Sequence, residues 1–161
     1  MILVAGVAEL YQGDLDLGRV AVERLAAEEF GDDVLVEELS YGAVAVAQRL
    51  EDVRPDVLVL VGATARGREP GSVRRRELGP SELTPQELQL AVGDAVTGYV
   101  TIDLLVEVAT ALGALPPRIV TIEVEPISQE PAEHMTALAR AGLERALDLV
   151  RAEVAELQRK S

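Results

Sequence analysis

The chain opens on an unbroken apolar run, Ile2-Leu3-Val4-Ala5-Gly6, the pattern of a strand buried on both faces. A loop, Val7 to Leu17, follows. Gly18 to Glu29 then places Val22, Leu25 and Ala26 at helical spacing, with Glu23, Arg24 and Glu28 on the wet side. Val34 to Leu39 reads as a second, less buried strand, and Ala43 to Leu50 as a short helix. Val57-Leu58-Val59-Leu60-Val61 is the clearest strand, and its continuous apolar character fits a central parallel position. Ser72 to Leu78 reads as a returning edge strand. Thr84-Pro85-Gln86-Glu87 resembles a cap with proline at a helix start. Thr101 to Leu112 is an apolar-faced helix closed by Gly113, Ile119 to Val124 a strand, and Ala132 to Leu157 a long final helix.

That order predicts a three-layer α/β sandwich with a mostly parallel, roughly five-stranded sheet and helices on both faces. Neither a repeat nor a linker divides residues 1–161, so one domain is expected. Ligand sites in such sheets lie beyond the carboxyl ends of the strands. Those ends carry the segments Gly6 to Gly18, Ser40 to Gly42, Gly62 to Gly71 and Glu125 to Glu130.

Composition narrows the chemistry. There is no cysteine, which excludes disulfides, thiolate catalysis and cysteine-ligated metals. Of the aromatics, one Phe and three Tyr are present and Trp is absent, so the core must be aliphatic. A formal charge of −13 opposes attraction to a phosphate backbone, and no basic stripe with interleaved aromatics offsets it. Nucleic acid is therefore not an expected partner. No apolar run reaches the ~20 residues of a membrane span, and Met1-Ile2-Leu3-Val4 carries no basic leader. A cytoplasmic protein is the simplest expectation.

Several side chains are candidates for a site. Glu9, Asp14 and Asp16 share the first loop and could hold a hard divalent cation, although the spacing matches neither a calcium loop nor a phosphate loop. Asp14 and Asp16 equally suit the positive end of the helix that follows. His134, placed at the start of the last helix, has no second histidine or cysteine to complete a transition-metal site; it reads as a surface or capping residue, with a catalytic base as the rival role. Ser40, Ser72 and Ser128 lack a nucleophile elbow, and Gly6, Gly13 and Gly18 are too widely spaced for a dinucleotide fingerprint. Tyr11, Tyr41 and Tyr99 fall in loops near the expected site; ordinary packing explains them, and so does a rim that contacts a peptide partner.

The order of these landmarks resembles the NiFe-hydrogenase maturation proteases. That family opens with a strand and a G-[IV]-G-N-x-L-x-x-D-[DE]-G-x-G loop. Here the stretch runs from Gly6 to Gly18, and its outer glycines and Asp14 fit without a gap. Leu39-Ser40-Tyr41-Gly42 is similar to the family's second turn. Gly62-Ala63 stands where its third strand ends in D-A, and Pro70-Gly71-Ser72-Val73 matches a later P-G-[ST]-V. Asp103-Leu104-Leu105, Gly113 and Pro116 to Val120 resemble the family's last helix–strand crossover, and Glu123-Val124-Glu125-Pro126 its G-[IV]-x-P-E-like ending.

The resemblance implies an endopeptidase that recognises the nickel of a hydrogenase large-subunit precursor and removes its carboxyl-terminal peptide, the nickel belonging to the substrate. The implied nickel-recognising positions fall on Leu15, Gly62 and, in the stretch Val96-Thr97-Gly98, on Thr97. None supplies the side chain the family uses there. Two readings follow. One is a non-catalytic relative that binds a hydrogenase large subunit or an assembly factor, without a cofactor of its own. The other is a divergent endopeptidase with a displaced site built from Glu9, Asp14, Asp16 or His134, with Asp14 and Asp16 as its catalytic candidates. Only the second involves a substrate's nickel. The sequence leaves catalysis and oligomeric state open.

Overall fold

The computed structural model describes residues 1–78, 84, 86–87, 89–90 and 101–161. Its strands are β1 (Ile2–Gly6), β2 (Val34–Glu38), β3 (Val57–Ala63), β4 (Val73–Leu78) and β5 (Arg118–Val124). They form one sheet in the order β2-β1-β3-β5-β4. All neighbours are parallel except β4, which runs antiparallel to β5 at the edge. The helices are α1 (Leu17–Ala26), α2 (Ala43–Val53), α3 (Ile102–Ala111) and α4 (Ala137–Lys160). Outside these, Gln86, Glu87, Gln89 and Leu90 are helical, and the Glu87 N–H donates to Thr84 Oγ1 at 3.2 Å, as the cap pattern predicts.

The three-layer expectation holds, and alternation along the strands shows why. Val4, Val59, Val61, Val120 and Ile122 point to one face, where Leu17, Ala21 and Leu25 of α1 and Leu143, Leu147, Val150 and Val154 of α4 cover them. Leu3, Ala5, Leu58, Leu60 and Ile119 point to the other, against Val46 and Leu50 of α2 and Leu105 and Ala109 of α3. With no Trp and a single Phe, both cores are close-packed aliphatic layers. Each fully buried Leu contributes about 1.5–3 kcal/mol.

Several boundaries differ from the sequence reading, those of the first and last helices most. The first helix begins at Leu17 after a 3-10 turn, Gly13–Asp16, and ends at Ala26 rather than Glu29. The last helix begins at Ala137, not Ala132, because Thr136 caps it: its hydroxyl accepts from the Ala139 N–H at 3.3 Å. His134 therefore lies in the loop before that helix rather than on its first turn.

The chain leaves β1 for β2 on one side and returns to β3 on the other. Strand connections reverse there, and a crevice opens at the carboxyl ends of β1 and β3. Backbone contact is closest at that point. A Cβ on Gly6 would lie 2.2 Å from the Gly18 carbonyl oxygen, and one on Gly18 would lie 2.2 Å from the Val7 oxygen. Only glycine lets the first turn of α1 sit this tightly on the end of β1.

Candidate functional site

The crevice is a cleft of about 220 Å³ lined by Val7, Ala8 and Glu9 after β1, Ala63, Thr64 and Ala65 at the end of β3, and Leu15, Thr101 to Asp103 and Gln129. Three buried carboxylates fix its walls. Asp14 is only 2% exposed. Its Oδ2 accepts from the N–H groups of Ile127 (3.0 Å) and Ser128 (3.4 Å) and from Thr136 Oγ1 (3.0 Å), and its Oδ1 accepts from the Thr136 N–H (2.7 Å). One carboxylate thus bolts the loop before α4 to the first loop. Glu125 accepts from the Arg66 N–H (2.9 and 3.0 Å) and the Arg68 N–H (3.1 Å), holding the loop after β3.

Glu123 is the third, and its side chain is 1% exposed. It receives Thr121 Oγ1 (2.6 Å), Arg76 Nε (2.9 Å) and Arg66 Nε. Arg66 reaches on to Asp103 at 2.8 and 3.2 Å, linking β5, the loop after β3 and the start of α3. Burial pushes the Glu123 carboxyl up, but the hydrogen bonds from Arg66 and Thr121 and the charges of Arg66 and Arg76 outweigh it, and the net shift is downward. Asp103 and Glu123 in turn hold the Arg66 guanidinium firmly protonated against the cost of burial.

The other sequence-predicted residues are dispersed. Asp16 is buried and paired with Arg19 at 2.5 Å. Glu9 lines the cleft, whereas His134 is exposed and lies with Asp16, Arg19 and Arg140 along a separate surface depression. Among the described residues, no three His, Asp or Glu side chains gather closely enough to hold a metal ion. Leu15 projects its apolar side chain into the cleft. At Gly62 the backbone has closed in: a Cβ there would stand 2.6 Å from the Val7 oxygen and 3.5 Å from Ile102 Cδ1. Thr97 and Tyr99 lie outside the described residues.

Tyr11 is 71% exposed, with a backbone φ of 60°. A left-handed conformation costs a non-glycine residue about 1–2 kcal/mol. The Arg19 guanidinium packs over the ring, 4.4 Å from its centroid. Tyr11 also borders a shallow depression with Pro131, Ala132 and Glu133, close in sequence to exposed Leu10. Tyr41, 54% exposed, lies beside Glu37 and Arg49; partial burial and the Glu37 charge push its phenol up.

Sequence reasoning missed Arg66, Asp103, Glu123, Glu125, Thr64 and Gln129. A sign of the first group was present: Glu123 interrupts an apolar strand, and Arg74-Arg75-Arg76 supplies the cations for a neighbouring strand. Thr64 Oγ1 is buried without a hydrogen-bond partner among the described residues, which only coordinates reveal.

A mostly parallel α/β sheet with its cleft at the switch point, and Asp14, Glu123 and Glu125 anchoring the loops around it, defines the class. The chain superimposes on a hydrogenase 2 maturation peptidase from Thaumarchaeota archaeon SCGC_AB-539-E09 with a TM-score of 0.69 and 25% identity, over 96% of this chain and 97% of that one. The hydrogenase maturating endopeptidase HybD from E. coli gives 0.68 and 25% over 96% and 92%. A solution structure of an endopeptidase from Escherichia coli gives 0.70 and 26% over the same shares, 96% and 92%. No family model matches the chain, and no curated protein sequence matches it. The chain is a structural homologue of the NiFe-hydrogenase maturation proteases. Among the described residues, no helix is long and apolar enough to cross a membrane.

Proposed function

We propose that this chain is a non-cleaving relative of the hydrogenase maturation proteases that binds a hydrogenase large subunit or an assembly partner through the loops at the carboxyl end of its sheet. In this reading residues 1–161 form a single domain of that type. The observation that carries it is the interior of the cleft. Leu15 fills one implied nickel-recognising position with an aliphatic side chain, and at Gly62 the Val7 carbonyl occupies the space a carboxylate stem would need. Asp14, which precedes Leu15, already accepts four hydrogen bonds. Turning it toward a substrate's nickel would strand those donors. A positioned set of ligands, and not the fold alone, is what recognition of a metal-loaded substrate requires.

Binding needs less. Tyr11 is held out from the surface by Arg19, beside Leu10 and the depression at Pro131 and Ala132. An amphipathic ring presented rigidly beside apolar surface suits a protein contact. The buried, unpartnered hydroxyl of Thr64 gives an incoming segment one polar anchor inside the cleft.

The divergent-endopeptidase alternative draws on a displaced site from Glu9, Asp14, Asp16 or His134, and of these Glu9 is the one that lines the cleft. Titration calorimetry with a nickel-loaded hydrogenase large-subunit precursor separates partner binding from its absence. Saturable binding weakened by Tyr11→Ala supports the proposal; no heat with precursor, with or without nickel, overturns it.

A further inference from the structure

We infer that the free edge of β2, with the cleft beside it, is a second docking site, and that its occupant is an extended, cationic peptide segment that adds to the sheet as a strand. This surface lies on the far side of β1 from β3 and does not depend on the reading of the crevice.

Backbone bonds fix its orientation. The Ile2 N–H donates to the Asp33 carbonyl (2.8 Å) and the Leu39 N–H to the Gly6 carbonyl (2.9 Å). In a parallel ladder the bonding residues of one strand alternate, so Asp33, Leu35, Glu37 and Leu39 face β1. The Val34 carbonyl and the N–H and carbonyl groups of Val36 and Glu38 therefore point away from the sheet. Among the described residues no strand covers them, since β2 ends the strand order. The side chains of Val34 and Val36 lie on the α1/α4 face, where they remain partly exposed. They floor an open cleft of about 640 Å³ walled by Ala26, Glu28, Glu29, Phe30, Gly31 and Asp32. An added strand would seat alternate side chains there while its backbone pairs with Val36 and Glu38.

Charge selects the occupant. Glu28 is paired with Arg151 and Glu37 with Arg49, but Glu29, Asp32 and Glu38 have no ion-pair partner among the described residues. Three uncompensated carboxylates flank one strand edge on a chain of formal charge −13. Acidic side chains on an edge strand deter pairing with a like-charged strand, which argues against a second copy of this chain. They attract a strand carrying Lys or Arg at the positions beside them.

The test uses the full chain and a synthetic peptide of alternating Val and Lys with one Trp. The chain has no Trp, so fluorescence at that residue reports the peptide alone. Amide exchange is followed by NMR. The Val36 and Glu38 amides should exchange rapidly in the free protein and slow by about tenfold or more when peptide is bound. Binding should weaken with added salt and vanish for a peptide with Glu in place of Lys. Val36→Pro removes an outward N–H that the sheet does not use, so this variant should keep the β1 amide protection and bind the peptide about tenfold more weakly. Should that variant fail to fold, a peptide N-methylated on alternate amides makes the same test on the wild-type chain by losing its binding. Three results overturn the inference: protection confined to other amides, equal binding of a Pro-interrupted peptide of the same charge, or protection of Val36 that rises with protein concentration alone, which would assign the edge to a second copy.

Discussion

The anchors behind the walls of the crevice and the floor between them are built from opposite materials. The anchors are buried charge: Asp14, Glu123 and Glu125 each collect several donors, and Arg66 spans two carboxylates. The floor is Leu15 and Ala63, beside a glycine at which a neighbouring carbonyl leaves no space for a side chain. A buried carboxylate is tolerated where its lone pairs are filled and costs several kcal/mol where they are not. Here Asp14, Glu123 and Glu125 hold loops in place, while Leu15 and Ala63 leave the lining between them aliphatic. The buried polar groups thus fix the shape of the cleft.

Breaking the walls should cost most. Asp14→Ala strands the N–H groups of Ile127, Ser128 and Thr136, and should lower stability by about 4 kcal/mol in urea unfolding, at roughly 1–3 kcal/mol per orphaned donor. Glu123→Gln keeps the volume but leaves Arg66 and Arg76 facing a neutral group, for a loss of about 3 kcal/mol. This residue also sets a pH signature. The folded-state pKa of Glu123 lies below its ordinary 4.5. Its contribution is therefore complete above the unfolded-state value and disappears as pH falls through the lower, folded-state value. The wild-type chain should lose more stability than Glu123→Gln on acidification below 4.5, a difference read from unfolding curves at a series of pH values.

Altering the floor sharpens the contrast. Gly62→Asp should destabilise by about 2 kcal/mol, because its Cβ must displace the Val7 carbonyl. Leu15→Glu, at a half-buried position, should cost about 1 kcal/mol, and neither change alone should confer cleavage of a hydrogenase precursor. The smallest expected effect on stability is that of Tyr11→Ala, within about 0.5 kcal/mol, with its consequence confined to partner affinity in calorimetry.

How much of this the sequence disclosed follows from the range of the forces involved. Apolar runs such as Val57 to Val61, and the helical spacing of Leu105 and Val108, are local, so strands and helices were legible to within a few residues. The start of the last helix was not: Ala132 to Met135 has helix-forming composition, but Asp14, more than a hundred positions earlier, seizes Thr136 and fixes the cap there. Asp14 itself read as a cap or a cation ligand, because sequence does not show which distant amides will converge on it. The same holds for Glu123 and Arg66, whose pairing across fifty-seven positions is visible only in three dimensions. The substitution of Leu15 and Gly62 for expected ligands could be read directly. That the backbone had closed over Gly62 could not.

Intact-mass analysis under native conditions of this chain mixed with a nickel-loaded hydrogenase large-subunit precursor, beside a conventional maturation protease as positive control, tests the central claim most directly. The account predicts a complex whose mass is the sum of the two full-length chains, with the precursor unshortened while the control removes its carboxyl-terminal peptide. A precursor shortened by that peptide in the presence of this chain alone would contradict it.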